Sequence, residues 1–466
     1  MDKNDKKELF ATMPVPKAIA AMAVPTIISQ LINLVYNVVD TFFIGRTGNS
    51  YMVAAVTVSF TLFMMTVAFS NLFGVGGGSL MARLIGRDEP GRSKQVCAFS
   101  FYGAIAIALF YSLFIFTLLD PLLRALGASD ATIGYARQYV LVVVVAGNLP
   151  VILSGVVAHL LRNAGYSKQA SIGLSGGGIL NIALDPLFMF VLLPKGQEVL
   201  GAAIATLIAN IASCLYLVTT LKRISRTAPL SMSIREAKTI RRSDIGGLFA
   251  VGVPSAILTG LFDVANIVLN ALMSTHGDLA LAAIGIVMKV ERLPNAINLG
   301  ICQGMLPIVA YNFAAKNEKR MREVMNTARL YGLVISGLSI ALFETLATPL
   351  VRVFLNTSAG DAEAALTTIA FATSFIRIRC LASPFQFMNY HTSFCMQAMG
   401  DGRDTLLHAI VRELVCYIPF MYLLNALFGT TGLVCAVVAG EACGAVFAIF
   451  MLRRWMKKLR VQAAKA

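Results

Sequence analysis

Charge is scarce in this chain. Asp, Glu, Lys and Arg make up 14% of the 466 residues, while 57% are hydrophobic. That balance excludes a soluble globular protein of this size and points to a polytopic membrane protein. Nucleotide-binding signals are missing as well. The glycine-rich Gly74-Val-Gly-Gly-Gly78-Ser79 looks like a phosphate loop, but no Gly-Lys-Ser/Thr follows it or occurs elsewhere, which argues against ATP-driven transport. The eight cysteines form no CxxC pair and all fall in apolar stretches. They read as small core residues, neither disulfides nor metal ligands. The four histidines, His159, His276, His391 and His408, lack metal-ligand spacing, so no cofactor and no structural metal is expected. No short apolar region with a small-residue cleavage site opens the chain, so no removable leader is expected. A catalytic set is absent too. Gly173-Leu-Ser175-Gly-Gly177 matches the nucleophile elbow, but that motif needs a strand-to-helix turn and a triad, and here it lies in an apolar stretch. This glycine cluster, like Gly74/Gly78 and Gly300/Gly304, reads as close helix packing at small-xxx-small spacing.

Twelve apolar stretches are present, at about 17–43, 53–82, 95–119, 133–161, 169–193, 199–221, 246–273, 278–311, 324–346, 362–395, 405–427 and 431–452. Each is long enough to cross roughly 30 Å of hydrocarbon at about 1.5 Å per residue. The expectation is an all-α polytopic protein with twelve transmembrane helices. The net charge of +15 does not signal nucleic acid, because of where it lies. Of 39 Lys and Arg, five fall in odd-numbered loops (Arg46, Arg124, Arg137, Lys195, Arg352) and five inside apolar spans (Lys289, Arg292, Arg377, Arg379, Arg412). The remaining 29 sit at the termini and in even-numbered loops. By the positive-inside rule both termini are expected to be cytoplasmic. The basic charge then faces anionic lipid and cytosol.

The chain also repeats itself. Ala23-Val24-Pro25 matches Gly252-Val253-Pro254, Asn37 matches Asn266, and Gly74 with Gly78 matches Gly300 with Gly304. Pro121-Leu122 with Arg124 matches Pro349-Leu350 with Arg352, Pro186 matches Pro419, Gly201 matches Gly432, and Lys222-Arg223 matches Arg453-Arg454. Three regions follow: a six-helix lobe over 1–222, a basic cytoplasmic linker over 223–245, and a second six-helix lobe with a basic tail over 246–466. Six helices per half predicts a pseudo-two-fold axis along the membrane normal. Ser233-Ile-Arg-Glu236 fits a capping box, so the linker is a short surface helix or disordered.

Asp40 carries the most information about function. It is a lone carboxylate near the end of the first span, and a charge in hydrocarbon costs a few kcal/mol or more, so such residues mark ion or substrate paths. Counting back from the loop at Arg46 places it about 9 Å deep. Asn181 and Asp185, four apart, share a face of the fifth span, and Asp185 is about 14 Å deep. Thr206 on the sixth span is about 12 Å deep. Two carboxylates, an amide and a hydroxyl suit a hard cation such as Na⁺. Adjacent carboxylates also oppose each other's ionisation, so the same set suits proton exchange. Pro25 is expected to kink the first helix. At the matching positions the second half has Leu269, Leu414, Ile418 and Val437. Loss of all four together is what a single-lobe ion site predicts. The second half instead carries Asp263, Lys289, Glu291, Arg292, Glu344, Arg377, Arg379, Arg412, Glu413 and Glu441. Asp263, Glu291, Arg377 and Glu413 are candidates for contact with a cationic substrate or for the lobe interface. Internal ion pairing, with Glu291 against an arginine of the tenth span, is the alternative, and Asp263 and Glu441 stand alone.

This pattern resembles the MATE (multidrug and toxic compound extrusion) family over nearly the whole chain. Pro25 and Asp40 carry the resemblance, with Leu161-Arg162-Asn-Ala-Gly165, Asn181-x-x-x-Asp185, Gln303-Gly304-x-x-Pro307 and Tyr311-Asn312. The last segment is most similar to the bacterial multidrug branch. The resemblance implies a V-shaped pair of six-helix bundles that export small organic cations in exchange for Na⁺ or H⁺. It implies cation binding at Asp40, Asn181, Asp185 and Thr206 and bending near Pro25, in a membrane-embedded monomer. Two other readings are a flippase for a lipid-linked saccharide, which needs arginines for phosphate, and a membrane receptor or enzyme, which lacks its catalytic set or extramembrane domain.

Overall fold

A computed structural model describes residues 8–47, 49–352 and 362–465. Among these the regular structure is helical throughout. In the first half the elements are α1 (Val15–Gly45), α2 (Ser50–Gly86), α3 (Pro90–Thr117), the short α4 (Leu119–Ala125), α5 (Ile133–Val140), α6 (Asn148–Asn163), α7 (Ser167–Leu187) and α8 (Glu198–Ile224). A five-residue α9 (Ile234–Lys238) lies in the linker. Then follow α10 (Arg242–Ser274), α11 (Asp278–Ala314), α12 (Glu318–Arg352), α13 (Ala362–Cys380), α14 (Ser383–Met399), α15 (Gly402–Ile410) and α16 (Ile418–Lys465). Three π-helical stretches interrupt the α geometry: Leu141–Ala146, Phe188–Leu192 and Val411–Tyr417.

Helix ends follow local chemistry. Pro90 opens α3, where its missing N–H is harmless. The Asn49 side chain accepts from the Tyr51 N–H at the start of α2, and Asp401 accepts from the Asp404 N–H at the start of α15. Gly165 and Gly277 follow α6 and α10 at φ +87° and +101°, a left-handed turn that costs glycine least.

The predicted spans map onto these helices. Eight helical segments are each long and apolar enough to cross alone. Two spans are bent pairs: Ile133–Ala146 with Asn148–Asn163, bent by 46°, and Ala365–Cys380 with Ser383–Met399, bent by 49°. The final 58-residue stretch, Gly402–Leu459, contains two spans that turn at Gly429 (φ +58°, ψ −135°). With that stretch divided, the described residues hold twelve spans.

The fold divides into two compact units. The first holds residues up to 256 with 304–321 and 397–400; the second holds 257–303, 322–396 and the segment from 401 onward. The core of the first unit packs Phe73, Met81, Leu84, Cys97, Phe101, Ile152, Leu160 and Leu221. That of the second packs Leu269, Met273, Val287, Phe343, Phe375, Met421 and Leu433.

The glycine clusters are packing surfaces. A Cβ on Gly74 would lie 2.8 Å from the His159 ring, and one on Gly78 would lie 2.5 Å from the Asn163 amide. On α7, Gly173 meets Leu217 and Gly177 meets Ser213. The Ser213 hydroxyl donates to the Gly173 carbonyl at 2.9 Å, so the hydrolase-like motif is a helix contact. The linker forms a short helix, but without the capping box: Ser233 is the N-cap of α9 and its side chain makes no cap bond. It is strapped to α3 instead. Ser93 and Tyr102 donate to the carbonyls of Pro229 and Met232, and Arg92 clasps Asp244 through two bonds.

A buried oxygen cluster and the charges of the second half

The cluster predicted around Asp40 is assembled in the first unit by α1, α7 and α8. Asn181 and Asp185 lie one turn apart on the buried face of α7. The Asn181 amide donates 3.2 Å to Asp185 Oδ1 and 3.2 Å to the Thr206 hydroxyl on α8. Asp185 is fully buried, and Asn181 and Thr206 are 2% exposed. Asp40 reaches the cluster from α1, close enough to act electrostatically on Asp185. No Lys, Arg or His offsets either carboxylate among the described residues.

Three oxygens of this set are buried without a hydrogen-bond partner: Asp40 Oδ1, Asp185 Oδ2 and Asn181 Oδ1. An unsatisfied buried acceptor normally costs about 1–3 kcal/mol, and such groups are rare unless an ion, a proton or water completes them. All three are acceptors with no donor opposite, and hard oxygen donors are what Na⁺ or a shared proton requires.

Two residues escaped the sequence reading. Tyr36 lies one turn before Asp40 on α1, near Thr206 and within electrostatic reach of both carboxylates. Its i−4 spacing from Asp40 was a usable signal. Tyr139, 8% exposed, faces Asp40, Tyr36 and Asp185 from α5. It has no such signal, because nothing in its local pattern separates it from an ordinary core tyrosine. One turn beyond the oxygens the chain closes with an apolar plug. Ile44, Met189 and Ala202 form one cluster, each four residues from Asp40, Asp185 and Thr206 respectively. The π-helical stretch Phe188–Leu192 begins at this point, a geometry that recurs at functional sites.

Pro25 does not break α1, which runs on as one helix from Val15 to Gly45. Thr26 and, from α7, Ser167 both donate to the Met22 carbonyl, at 2.9 and 2.6 Å. Hydroxyls thus crowd the turn where proline removes a backbone donor.

The second half departs from the predicted substitutions in one respect. Leu269 and Val437 lie in the apolar core where Asp40 and Thr206 have their counterparts. Leu414, matched to Asn181, is 40% exposed, whereas the adjacent Glu413 is 3% exposed. The π-helical stretch Val411–Tyr417 causes this by inserting a residue into the turn and shifting the inward register by one. Glu413 and Tyr417 therefore face inward in place of Leu414 and Ile418.

The buried charges of this half pair among themselves. Arg379 grips Glu291 with two bonds of 2.8 Å. Arg377, by contrast, is half-exposed, 3.8 Å from Glu344. Glu441 does not stand alone: Arg412 binds it at 2.5 and 2.9 Å, and Asn389 donates to it at 2.7 Å. Glu413 lies 3.5 Å from the same arginine. Asp263 is half-buried within electrostatic range of Arg292.

Comparison with known proteins agrees with this architecture. The chain is 29% identical over 455 residues to the multidrug export protein MepA of Staphylococcus aureus (strain MRSA252), covering 97% of each. It is 27% identical over 464 residues to MepA of Staphylococcus saprophyticus, covering 99% of each. Its fold matches a structure described as the outward-facing conformation of a multidrug resistance MATE family transporter of the MOP superfamily, with TM-score 0.91 over 99% of both chains. At 22% identity that likeness speaks to the fold alone. The MatE family profile matches residues 25–187 and 254–423, one stretch in each half. The chain therefore belongs to the MatE family, whose members are membrane transporters and not enzymes.

Proposed function

We propose that this protein is a multidrug efflux antiporter that exports small organic cations in exchange for a coupling ion, Na⁺ or H⁺, held by Asp40, Asn181, Asp185 and Thr206, with Tyr36 alongside. The observation that carries the reading is the convergence of three partnerless buried acceptor oxygens, from Asp40, Asn181 and Asp185, with no basic residue against them. The names of the relatives, multidrug export proteins, supply the class of cargo. An ion that binds one conformation better than another drives the change between them, and cationic drug binding the other state closes the cycle. The protein acts as a monomer in the inner cell membrane, both termini cytoplasmic, in accord with its basic residues.

The flippase reading needs arginines for phosphate. Of the three arginines inside the spans that could serve it, Arg379 and Arg412 are each committed to a carboxylate and Arg377 is half-exposed beside Glu344, which argues against phosphate binding within those spans. The test is efflux of a fluorescent cation from proteoliposomes, with Na⁺ and pH gradients imposed separately. One gradient is expected to drive transport in the wild type, and Asp40→Asn and Asp185→Asn each abolish the driven component. Wild-type efflux in both variants sinks the proposal.

A further inference from the structure

The second unit contains a cavity that the oxygen cluster does not explain. It measures about 620 Å³ and is formed by one face from each of three helices. Helix α12 contributes Arg322, Met325, Asn326 and Arg329; α14 contributes Met388 and His391; and α16 contributes Ile449, Leu452, Arg453, Met456 and Lys457. The spacing on α12 and α16 is i, i+3, i+4, i+7, a single stripe of each helix.

Its chemistry is divided. Four permanent cations line the cavity and no carboxylate does. Among the described residues Arg329 donates to the Asn326 side-chain oxygen, at 2.9 Å. Among the described residues Arg329, Arg453 and Lys457 show no acidic partner within ion-pair distance. The floor is apolar: Met325, Met388 and Leu452 are buried, and Ile449 and Met456 half-buried. Buried His391 does not add to the donors. It spends its Nε2–H on the Met325 carbonyl at 2.9 Å, which fixes the floor.

A cationic drug would be repelled here, and a small hydrophilic anion has no use for five apolar side chains. A ligand with a phosphate at one end and hydrocarbon at the other satisfies both parts. Methionine-rich surfaces adapt to flexible chains, and basic pockets between transmembrane helices take anionic headgroups. We infer that this cavity binds an anionic phospholipid, its phosphate between Arg329, Arg453 and Lys457 and its first methylenes against Met325, Met388, Leu452 and Met456. Arg322 lies one turn into α12 and Arg329 about three turns in, while Arg453 and Lys457 lie in the basic C-terminal part of α16, on the side that the positive-inside rule assigns to the cytoplasmic leaflet. Lipid bound there ties α12, α14 and α16 together within one half. The inference does not depend on which ion is coupled or on what is exported.

The test uses the full chain, purified in detergent, with native mass spectrometry and thermal melts. Phosphatidylglycerol, phosphatidylcholine of matched chains and inorganic phosphate are added separately. The wild type is expected to retain and be stabilised by phosphatidylglycerol alone. Arg453→Gln/Lys457→Gln is expected to weaken that binding roughly twenty-five-fold, at about fivefold per cation. Arg454→Gln/Lys458→Gln, the same charge loss on exposed positions of α16 outside the cavity, is expected to leave it unchanged. Equal retention of the two phospholipids overturns the inference, as does equal weakening in both double variants or an equal melt shift with inorganic phosphate. If the cavity variant does not fold, the wild-type comparison of the two phospholipids decides.

Discussion

Replacing Arg412 with Met removes one guanidinium that serves two carboxylates. In the native protein it holds Glu441 by two bonds and Glu413 at 3.5 Å, with its own side chain 4% exposed and Glu441 at 7%. Without it, two buried acids face each other with only Asn389 donating to Glu441. Breaking a buried pair from one side costs about 3–5 kcal/mol, because the orphaned charge stays desolvated. Glu441→Gln is a milder change. Arg412 retains Glu413 and stands 5.1 Å over the Tyr390 ring, so the loss is one charge-assisted contact, about 1–3 kcal/mol. Glu413→Gln removes only the longer contact, and it also relieves the repulsion between two clustered negative charges; the two effects oppose each other, so it is expected to cost less than Glu441→Gln. The predicted order of destabilisation is therefore Arg412→Met, then Glu441→Gln, then Glu413→Gln. Thermal unfolding in one detergent at one pH measures it. If Glu441→Gln costs as much as Arg412→Met, Glu413 gives the arginine no second partner and the reasoning fails. A silent Arg412→Met would refute it outright.

Further outcomes follow from particular contacts. Tyr36→Phe removes the hydroxyl beside Thr206 and the two carboxylates; ion-driven efflux should fall roughly five- to tenfold, the worth of one hydrogen bond to the bound ion or its ligands, with melting unchanged, and an unaltered ion dependence would exclude Tyr36 from the site. Gly252→Ala places a Cβ 2.0 Å from the Leu72 carbonyl, a backbone atom that cannot turn aside, and is expected to cost about 1–3 kcal/mol or more as overpacking. Gly45→Ala, with nothing within 4 Å, should be neutral or slightly stabilising, and the contrast in expression and melting tests the packing argument. Arg124→Gln, which breaks an exposed pair with Asp130, should change stability by less than about 1 kcal/mol in a melt. Pro25→Ala restores the backbone donor that α1 lacks at this position; a stiffer helix predicts slower efflux without loss of melting temperature.

Much of this was legible because a membrane limits what a sequence can mean. Long apolar runs must be helices, so the spans could be read almost span for span. Asp40, Asn181, Asp185 and Thr206 were findable from cost: polar side chains at one depth in hydrocarbon need a common reason. Local spacing would have added Tyr36. Tyr139 required the tertiary arrangement of α5 against α1. The second half was misread at Leu414 because helical periodicity assumes constant geometry, and a π turn breaks that assumption without leaving a proline or glycine to mark it. The pairing of Glu441 with Arg412 was also hidden, since the partners lie 29 residues apart on successive spans. For the linker the residues left a short surface helix and disorder both open; the helix forms, and its order comes from side chains of α3 that donate to it.

The turn at Gly429 bears on how the protein is made. Its backbone, φ +58° and ψ −135°, is a conformation essentially reserved to glycine. A Cβ on Gly432 would strike the Leu424 carbonyl at 1.8 Å, so the two arms are in contact within a few residues of the bend. Closing so short a loop carries almost no entropic penalty, and no polar segment exists there to be left behind on one side of the bilayer. The two spans that flank Gly429 should thus enter the membrane as one hairpin and not one helix at a time. A tag or reporter placed at this turn would disrupt biogenesis before it could report on transport.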